Sequence, residues 1–492
     1  MVKPLLPLDE RLGAIASLAL KALHGRENPC AADIGCDHGY LTAHLLRACP
    51  GLTMIASDVS APSLNKARRL LAQQGLSGRA RLAVADGLAA VDVPVQAVII
   101  AGMGAGTILK IVREGRERIG DAALIVQANL DLPLLRAELS AMGYAVEREV
   151  FVRAAGRHYV TLMARRGDPR VLSAREALLG AAAGGAMDEA QRAYFTWLRG
   201  VRMREMERVA ALATPKARER IEKSGREAAC ISEAIGMKTC TVSELEGLVG
   251  RIAPYELAEE WDNVGLLLGR RDAEVTRVLV ALDLTQDVLR EAQALGAQAI
   301  VTHHPIMFSA RKRVTDADRE GRLILDMAAA GVAHIAAHTN LDSAPGGVND
   351  TLMAAMGCVN VRGEGFVRAG DLPEGTTLGG LRALAEQKLR ARVRVYGAED
   401  TPVRVLGCCS GAGSGEIGAA AALGADCFIT GEVHHHQALD AVDQGVCVLE
   451  AGHFETENPV CEVLAGALQN AADALEYTMM VFCSRVDPFG RG

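Results

Sequence analysis

The sequence predicts an α/β protein of more than one domain, and three observations lead to this prediction. With 492 residues, the chain exceeds the size that a single hydrophobic core usually supports. Aromatic residues make up only 3% of the chain while glycine occurs 51 times, which favours α/β architecture over a β-sandwich rich in tyrosine and tryptophan. Short apolar segments alternate with helical stretches, which is the pattern of a doubly wound, mostly parallel sheet.

Residues 1–165 are predicted to form the first domain. Its expected strands are short apolar segments with helical stretches between them. In chain order these are CAADIG (Cys30–Gly35), MIASD (Met54–Asp58), RLAVAD (Arg81–Asp86), AVIIAGMG (Ala97–Gly104) and ALIVQANL (Ala123–Leu130). The segments YAVEREVFVR and HYVTLMARR follow with no helix between them, which predicts a terminal hairpin.

Residues 166–236 differ from the first domain because the strand pattern disappears. Apolar residues recur three to five positions apart, at Phe195, Leu198, Val201, Met206 and Val209. This spacing predicts a helical hairpin, which we assign to the first domain as an appendage and linker. Residues 237–492 then begin like a separate protein, so we predict a fusion of two independent units.

Composition and charge narrow the functional classes. A net charge of −7 argues against non-specific nucleic-acid binding by the whole molecule, although it leaves room for a local basic patch. The twelve cysteines include no C-x-x-C pair, which predicts free thiols in a reducing compartment rather than zinc sites or disulfides. The N-terminus lacks the apolar core of a signal peptide, and no apolar run would span a bilayer. A cytoplasmic protein with no membrane partner is expected.

Residues 237–492 contain an internal repeat, which predicts two similar α/β lobes. In both copies a histidine precedes a carboxylate by four residues, as His338 precedes Asp342 and His453 precedes Glu457. The matching segments are ALGAQAIVTHH (Ala294–His304) with ALGADCFITGEVHHH (Ala422–His436), and GVAHIAAHTNLD (Gly331–Asp342) with GVCVLEAGHFETE (Gly445–Glu457).

Three acidic residues at successive strand ends predict a cofactor site in the first domain. Asp33 ends the first strand, before a glycine turn at Gly35, and Asp58 and Asp86 end the next two strands. Ligands of open α/β sheets bind at these strand ends, where an acid can bind ribose hydroxyls. Three acids suit a ribose and an adenine amine but repel a pyrophosphate. The pattern therefore favours S-adenosylmethionine over NAD, and a methyltransferase over a dehydrogenase.

Six sequence blocks of the first domain resemble the TrmK family, bacterial tRNA methyltransferases that modify N1 of an adenine in the D-arm region. The blocks are LDERL, ADIGCDHGYL, SDVSAPSLNKA, ADGL, IIAGMGAGTI and GRHYVTLM, and the resemblance covers about residues 1–230. It implies a Rossmann-like class I methyltransferase with a helical C-terminal appendage and tRNA as its partner. The implied cofactor-binding residues are Asp33, Gly35, Asp58, Asp86, Gly87, Met103 and Gly104.

Two departures from the TrmK pattern affect the adenine pocket and the methyl-group region. Family members usually read Gly-Met-Gly-Gly, whereas this chain has Ala105 at the fourth position. They often read Gln-Pro-Asn after the fifth strand, whereas this chain has Ala128 in place of the proline. The expected reaction is direct, in-line attack of adenine N1 on the sulfonium methyl group, with the enzyme mainly orienting the reactants.

The residues that assist methyl transfer are less strongly marked in the sequence. Asp37 or His38 is a candidate base for the N6 proton, and the alternative for His38 is a structural position at the start of a helix. Arg199, Arg202 and Arg204 of the appendage are candidates for phosphate contacts. The alternative for these arginines is a solvated helix face.

Two adjacent histidines end the strand AIVTHHPIMF and predict a metal centre in the second unit. Because successive side chains of a strand point to opposite faces, the rings of His303 and His304 should diverge unless the chain bends at that point. Diverging rings would each serve one of two ions bridged by a shared carboxylate. Asp342, His453 and Glu457 lie at other predicted strand ends and complete the ligand set. Imidazole mixed with carboxylate suits divalent Zn, Fe, Mn or Co.

The second unit also resembles a family, the NIF-three-like dinuclear metal-centre proteins, labelled GTP cyclohydrolase type-two-like. The motifs are EWDNVGLLLG (Glu260–Gly269), THHP, AAHTNLD, GGVND (Gly346–Asp350), SGAGSG (Ser410–Gly415), TGEVHHH and GHFETE. The resemblance implies a two-lobed α/β fold, a homohexamer whose metal sites face an internal cavity, and Glu457 as the bridge. His338 would lie beside the metal ligands without binding a metal ion itself, or would contact one of the ligands. His434, His435 and His436 would line the cavity, or else be exposed residues at a helix start.

The sequence thus predicts a bifunctional fusion. Its first part, residues 1–165 with the appendage 166–236, would methylate adenine N1 in tRNA with S-adenosylmethionine. Its second part, residues 237–492, would be a hydrolase-like domain with two divalent metal ions. The alternative is an assembly or scaffold protein in which the metal domain is non-catalytic and the first domain only binds S-adenosylmethionine or a nucleotide.

Overall fold

The computed structural model describes residues 7–210 and 214–490. Within these ranges the chain divides into two compact units. The first unit runs to Gly200 and includes Cys230–Ile235, and the second comprises Val201–Ala229 and the chain from Gly236 onward. Each unit has its own sheets and its own buried apolar clusters.

The described residues of the first unit form one seven-stranded sheet. Its strands are β1 (Cys30–Ile34), β2 (Thr53–Asp58), β3 (Ala80–Val84), β4 (Ala97–Met103), β5 (Ala123–Ala128), β6 (Tyr144–Ala154) and β7 (Arg157–Arg166). The helices up to the second unit are α1 (Glu10–Leu23), α2 (Tyr40–Ala48), α3 (Ala61–Gln73), α4 (Ala105–Glu114), α5 (Arg116–Ile119), α6 (Leu132–Ala141), α7 (Ala174–Leu179), α8 (Glu189–Ala210) and α9 (Pro215–Ala234).

The strand order β3-β2-β1-β4-β5-β7-β6 confirms the doubly wound prediction for the first unit. Strands β1 to β5 pair in parallel, and β7 pairs antiparallel with both β5 and β6 as the predicted terminal hairpin. The central strands are buried on both faces, as their continuous Ala, Val and Ile runs require. Because the strands are parallel, the carboxyl ends of β1, β2 and β4 lie at one edge.

The second unit contains two larger sheets and many short helices. Its strands are β8 (Cys240–Thr241), β9 (Gly265–Leu268), β10 (Glu274–Val275), β11 (Arg277–Ala281), β12 (Ala299–Thr302), β13 (Ala333–Ala336), β14 (Val359–Arg362), β15 (Arg368–Asp371), β16 (Arg394–Tyr396), β17 (Val405–Cys408), β18 (Cys427–Thr430), β19 (Cys447–Glu450) and β20 (Met480–Cys483). Its remaining helices are α10 (Val242–Ile252), α11 (Gln286–Leu295), α12 (Arg319–Ala330), α13 (Thr339–Ser343), α14 (Val348–Ala355), α15 (Leu378–Leu389), α16 (Ile417–Ala422), α17 (His435–Asp443), α18 (His453–Glu457) and α19 (Pro459–Ala474).

The two sheets of the second unit share a core arrangement, as the sequence repeat predicts. In the first sheet β11, β12 and β13 are parallel neighbours and β9 pairs antiparallel with β13. In the second sheet β17, β18 and β19 are parallel neighbours and β16 pairs antiparallel with β19. A one-turn helix follows the third strand of each trio, α13 after β13 and α18 after β19. Those helices carry the repeated histidine–acid motif.

The helical segment is divided differently from the sequence-based assignment, which keeps all of 166–236 with the first domain. Met203, Met206 and Ile221 are buried in one cluster with Leu279 of β11 and Phe482 of β20. Residues 201–229 therefore pack with the second unit. The apolar spacing predicts the two helices, but it does not tell which sheet covers their apolar face.

Every cysteine lies within the described ranges and is a free thiol. No described helix combines the length and the apolar character needed to cross a bilayer.

Candidate metal centre and cofactor site

Six side chains with metal-binding atoms converge at strand ends of the second unit. After β12 ends, the backbone N–H groups of His303 and His304 donate to the carbonyls of Ala281 and Leu282, which fixes both histidines beside β11. His338 and Asp342 lie at α13, and His453 and Glu457 lie at α18. All five predicted ligands are thus brought together, and His338 lies with them.

Glu457 lies at the middle of the group. Its Oε2 atom is 3.1 Å from His304 Nε2 and 3.1 Å from His453 Nε2. His303 Nε2 is 3.6 Å from Asp342 Oδ1 and 4.0 Å from Glu457 Oε2. Two triads therefore share Glu457, namely His303 with Asp342, and His304 with His453. His303, His304 and His338 form a third overlapping triad, and the ligand atoms of each triad lie within 4.8 Å of one another.

Each of the four histidines is held by an acceptor at its outer nitrogen. The Nδ1 partners, at 2.8–2.9 Å, are Ala337 O for His303, Asp283 for His304, Asp262 for His338 and Glu432 for His453. Because carbonyls and carboxylates only accept, these bonds place a proton on Nδ1 and direct the lone pair of Nε2 inward. This arrangement is typical of metal-binding histidines.

Three buried atoms at the centre fit a cation. His303 Nε2 and Asp342 Oδ1 have no hydrogen-bond partner in the described part of the chain. Glu457 Oε2 lies 3.1 Å from each of two imidazole nitrogens, those of His304 and His453. An unpartnered buried polar atom is costly, and acceptors that face one another repel unless a proton or a cation lies between them. Imidazole and carboxylate donors together therefore suit a divalent transition metal or zinc.

The burial and charges of the group shift the pKa values of its members in different directions. Burial lowers the pKa of His303 to about 3, which keeps this imidazole neutral. Burial opposes a charge on His304, but contacts with Asp283 and Glu457 outweigh it and raise the pKa of His304 to about 10. The contact with Glu457 is the main cause that raises the pKa of His453 to about 9. Protons and metal ions thus compete for the same nitrogens.

Metal affinity should consequently fall as the pH is lowered. His304 and His453 have raised pKa values, so protons hold these nitrogens below about pH 9–10 and must leave when a metal ion binds. For each displaced proton, we expect the dissociation constant for Zn²⁺ to rise by about tenfold for every unit by which the pH is lowered. Chelator competition from pH 6 to pH 9 measures this slope, and an affinity independent of pH would contradict it.

The adjacent histidines differ from one sequence-based expectation. Their rings do not diverge, because the ring centroids of His303 and His304 are 4.9 Å apart with planes inclined by 47°. The strand ends at Thr302, so the alternation of strand side chains no longer applies. Both rings face the same carboxylate, Glu457, while His303 also faces Asp342.

The triple histidine segment lies apart from this centre. His434 caps α17, its ring stacks on that of His436 at 5.9 Å, and all three residues including His435 are exposed. They belong to none of the metal-binding groups found among the described residues. The outer acceptors Asp262, Asp283 and Glu432 were not identified as site residues from sequence, although EWDNVG and TGEVHHH contain two of them.

The first unit contains a cavity of about 970 Å³ at the carboxyl ends of β1, β2 and β4. The predicted residues that line it are Asp33, Gly35, Asp37, His38, Asp58 and Met103. Three other predicted cofactor residues, Asp86, Gly87 and Gly104, are absent from the described residues that line this cavity. Asp86 precedes a short 3₁₀ turn that begins at Gly87, and Gly104 precedes α4.

Asp33 and Gly35 form the inner wall of the cavity. Asp33 is 4% exposed and accepts a 2.6 Å hydrogen bond from the hydroxyl of Thr42. Burial raises the pKa of Asp33 to about 6, against the effect of Thr42. Gly35 has a φ of +74°, and a Cβ there would lie 2.3 Å from Cε of Met103. The positive φ of this turn favours glycine, and Gly35 lines the cavity.

Asp58 and Asn129 organise two loops at the cavity. The carboxylate of Asp58 accepts from the N–H groups of Asp37 and Ser60, at 3.1 and 2.8 Å. Asn129 donates to the carbonyls of Gly102 and Met103, both at 2.8 Å, through its side chain and its backbone respectively. Carboxylate oxygens have further lone pairs, so Asp58 can still accept from ribose hydroxyls.

Of the residues predicted to assist methyl transfer, some line the cavity and others are paired within the protein. Asp37 and His38 both line the cavity, but His38 Nε2 lies 2.9 Å from the ammonium group of Lys66. Arg199 is 3% exposed and donates to Ser232, so it is not available to a phosphate, contrary to the sequence-based expectation. Arg202 is paired with Glu205 and Glu227.

Family models match both units. A family model described as Duf34/NIF3 (NGG1p interacting factor 3) matches residues 240–488. The chain belongs to the Duf34/NIF3 family. A second model, described as a methyltransferase domain, matches residues 8–162. The chain thus joins an N-terminal methyltransferase domain to a C-terminal NIF3 domain, as the sequence predicts.

Individual relatives match one unit each. A GTP cyclohydrolase 1 type 2 homolog from Clostridium perfringens is 32% identical over 258 residues, which are 50% of this chain and 98% of that protein. The crystal structure of a Staphylococcus aureus hypothetical protein is 29% identical with a TM-score of 0.50, covering 52% of this chain and 100% of that one. The Bacillus subtilis tRNA methyltransferase TrmK is 24% identical with a TM-score of 0.41, covering 47% of this chain and 99% of that one.

Proposed function

We propose that the first unit transfers a methyl group from S-adenosylmethionine to N1 of an adenine in tRNA. The observation that carries this proposal is the cavity of the methyltransferase domain, in which Asp33, Gly35 and Asp58 lie at adjacent strand ends. The buried Asp33 and the half-buried Asp58 at the end of β2 suit the polar groups of the cofactor. The six sequence blocks that resemble the TrmK family support adenine in tRNA as the acceptor.

The residues of this chain would act mainly by orientation. When bound, the cofactor would supply an electrophilic methyl group. The lone pair of adenine N1 would form the new N–C bond while the S–C bond breaks, with its electron pair staying on the sulfur of the departing S-adenosylhomocysteine. Asp37 is the better candidate to accept the N6 proton, because its carboxylate lines the cavity while Lys66 occupies Nε2 of His38. Met103 lies against Gly35, at the turn where the methyl group would be presented.

Methylation of unmodified tRNA by the full chain tests this function. The expected product is 1-methyladenosine, detected by nucleoside mass spectrometry after incubation with S-adenosylmethionine. Absence of any methylated nucleoside would remove the enzyme assignment. It would favour the alternative, an assembly protein whose first unit only binds the cofactor or a nucleotide.

For the second unit, we propose a metal-dependent hydrolase with two divalent ions, Zn, Fe, Mn or Co. The observation in support is the convergence of the unpartnered His303 Nε2 and Asp342 Oδ1 atoms with Glu457 in a buried group. Two triads that share Glu457 suit a pair of ions held close together, an arrangement used for displacement at phosphorus or carbon. The alternative is a non-catalytic binding or scaffold module.

Turnover assays distinguish the hydrolase from the scaffold. The full chain, loaded in turn with each of the four metals, is incubated with GTP and with model phosphoesters. The hydrolase predicts metal-dependent product formation that Asp342→Asn abolishes. No turnover with any of these metals would exclude hydrolysis of these substrates and support the scaffold alternative.

We also propose that the chain forms a homohexamer through the second unit and acts in the cytoplasm, where tRNA is available. The support for the hexamer is the resemblance to the NIF-three-like family, and native mass spectrometry tests it directly. A mass of six chains is expected, whereas a monomer or dimer at micromolar concentration would contradict the assembly.

A further inference from the structure

An aromatic cluster lies at the wall of the cofactor cavity, in the first unit. The rings of His158 and Trp197 are 5.1 Å apart with planes inclined by 31°. The ring centroid of Tyr194 lies 5.7 Å from that of Trp197 and 6.1 Å from that of His158. The ring of Phe151 packs against Tyr194 with a centroid distance of 5.2 Å. The cluster joins strand β7 to helix α8.

The cluster is not simply a part of the core. Trp197 is 39% exposed, whereas Phe195 on the same helix is fully buried. Both Trp197 and His158 line the cavity that contains Asp33 and Asp58. Part of the indole is therefore accessible at the wall of the cavity, and accessible aromatic rings of this kind stack well on nucleobases.

The charges around the cluster favour an anionic polymer. Arg153 and Arg157 are exposed at the tip of the β6–β7 hairpin, and Arg157 lines the cavity. Burial, followed by the charge of Arg153, lowers the pKa of His158, so this ring is neutral and suited to stacking. Arginines beside an aromatic surface are typical of sites that bind phosphate and base together.

We propose that Trp197, supported by His158, stacks on the nucleobase that is methylated. The stacking would hold this base in the cavity once it has been extruded from the stacked bases of the tRNA. A base within folded RNA does not reach a concave site, so an enzyme that acts on it must extrude it and bind it between other groups. This inference rests on the proposed function of the first unit. It adds a recognition role for helix α8 that is independent of the cofactor-binding residues.

The two tryptophans of the chain provide a direct test. Trp261, in the second unit, is 60% exposed, and Trp261→Ala leaves Trp197 as the single tryptophan. Titration of this variant with unmodified tRNA should quench the emission of Trp197. Trp197→Ala should weaken the binding of tRNA and raise the KM for tRNA by about tenfold to a hundredfold. The affinity for S-adenosylmethionine should stay unchanged.

Two further measurements separate stacking from a structural role. Trp197→Phe keeps an aromatic ring, so its KM for tRNA should lie close to that of the unmodified chain. Trp261→Ala is the matched control and should leave methyl transfer unaltered. Methyl transfer without quenching of Trp197, or a Trp197→Ala variant with an unchanged KM for tRNA, would overturn the stacking proposal while the methyltransferase function stands. Absence of both tRNA binding and methyl transfer would overturn both proposals.

Discussion

If the second unit holds the two metal ions that we propose, replacing Glu457 with glutamine should remove both. Its Oε2 atom lies 3.1 Å from the inner nitrogens of both His304 and His453, and it is the acidic member that the two triads share. Glutamine keeps the shape but removes the charge that favours a divalent cation. Loss of a residue that hydrogen-bonds to a metal ligand typically weakens metal binding by about tenfold to a hundredfold. Loss of Glu457, which would bind both ions, should therefore weaken metal binding by at least about a hundredfold.

Metal content per chain, measured by inductively coupled plasma mass spectrometry after dialysis, reports the effect. Glu462→Gln is a matched control, because Glu462 is an exposed glutamate at the start of the neighbouring helix α19 and belongs to none of the metal-binding triads among the described residues. Thermal denaturation checks that both variants fold. Retention of two ions by Glu457→Gln would show that Glu457 does not bridge them.

Replacing Asp33 with alanine should strongly reduce methyl transfer. Asp33 is a buried carboxylate at the end of β1, held by Thr42 on the cavity wall. A hydrogen bond to a charged group contributes about 1.5–3 kcal/mol, which corresponds to a loss of about tenfold to a hundredfold in kcat/KM for S-adenosylmethionine. Initial rates at varied cofactor concentration measure this loss.

The pH dependence gives a second measure of the role of Asp33. Burial raises the pKa of Asp33 to about 6, so the carboxylate is ionised above this pH and protonated below it. Cofactor affinity should therefore fall as the pH drops through about 6, and Asp33→Asn should remove this dependence. Asp92→Ala is the control, since Asp92 is an exposed partner of Arg81 and should change neither quantity. Equal activity of Asp33→Ala and the unmodified chain would contradict this role.

The parts of the fold that depend on local pattern were predictable from sequence. The apolar runs that end at Asp58 and at Thr302 are strands, because continuous β-branched and small residues suit a sheet buried on both faces. The repeat around His338 and His453 also predicted that two similar lobes carry the same histidine–acid motif. Two such lobes facing each other are expected to bring these strand ends together, and Asp342 and Glu457 lie in one triad with His303.

The parts that depend on distant neighbours were not predictable in the same way. The acceptor of His338 is Asp262, 76 residues earlier in the chain, and no local pattern relates the two. Likewise, the apolar stripe that includes Met206 predicts a helix without identifying the sheet that covers it. The orientation of His303 and His304 depends on where the strand ends, which is a matter of one residue.

Anomalous diffraction from crystals of the full chain loaded with one divalent metal tests the shared-carboxylate centre most directly. We predict two anomalous peaks per chain, each about 2.0–2.2 Å from its ligand atoms. One peak should lie between His303, Asp342 and Glu457, and the other between His304, His453 and Glu457. A single peak, or peaks that have no contact with Glu457, would contradict a centre in which this carboxylate joins two ions.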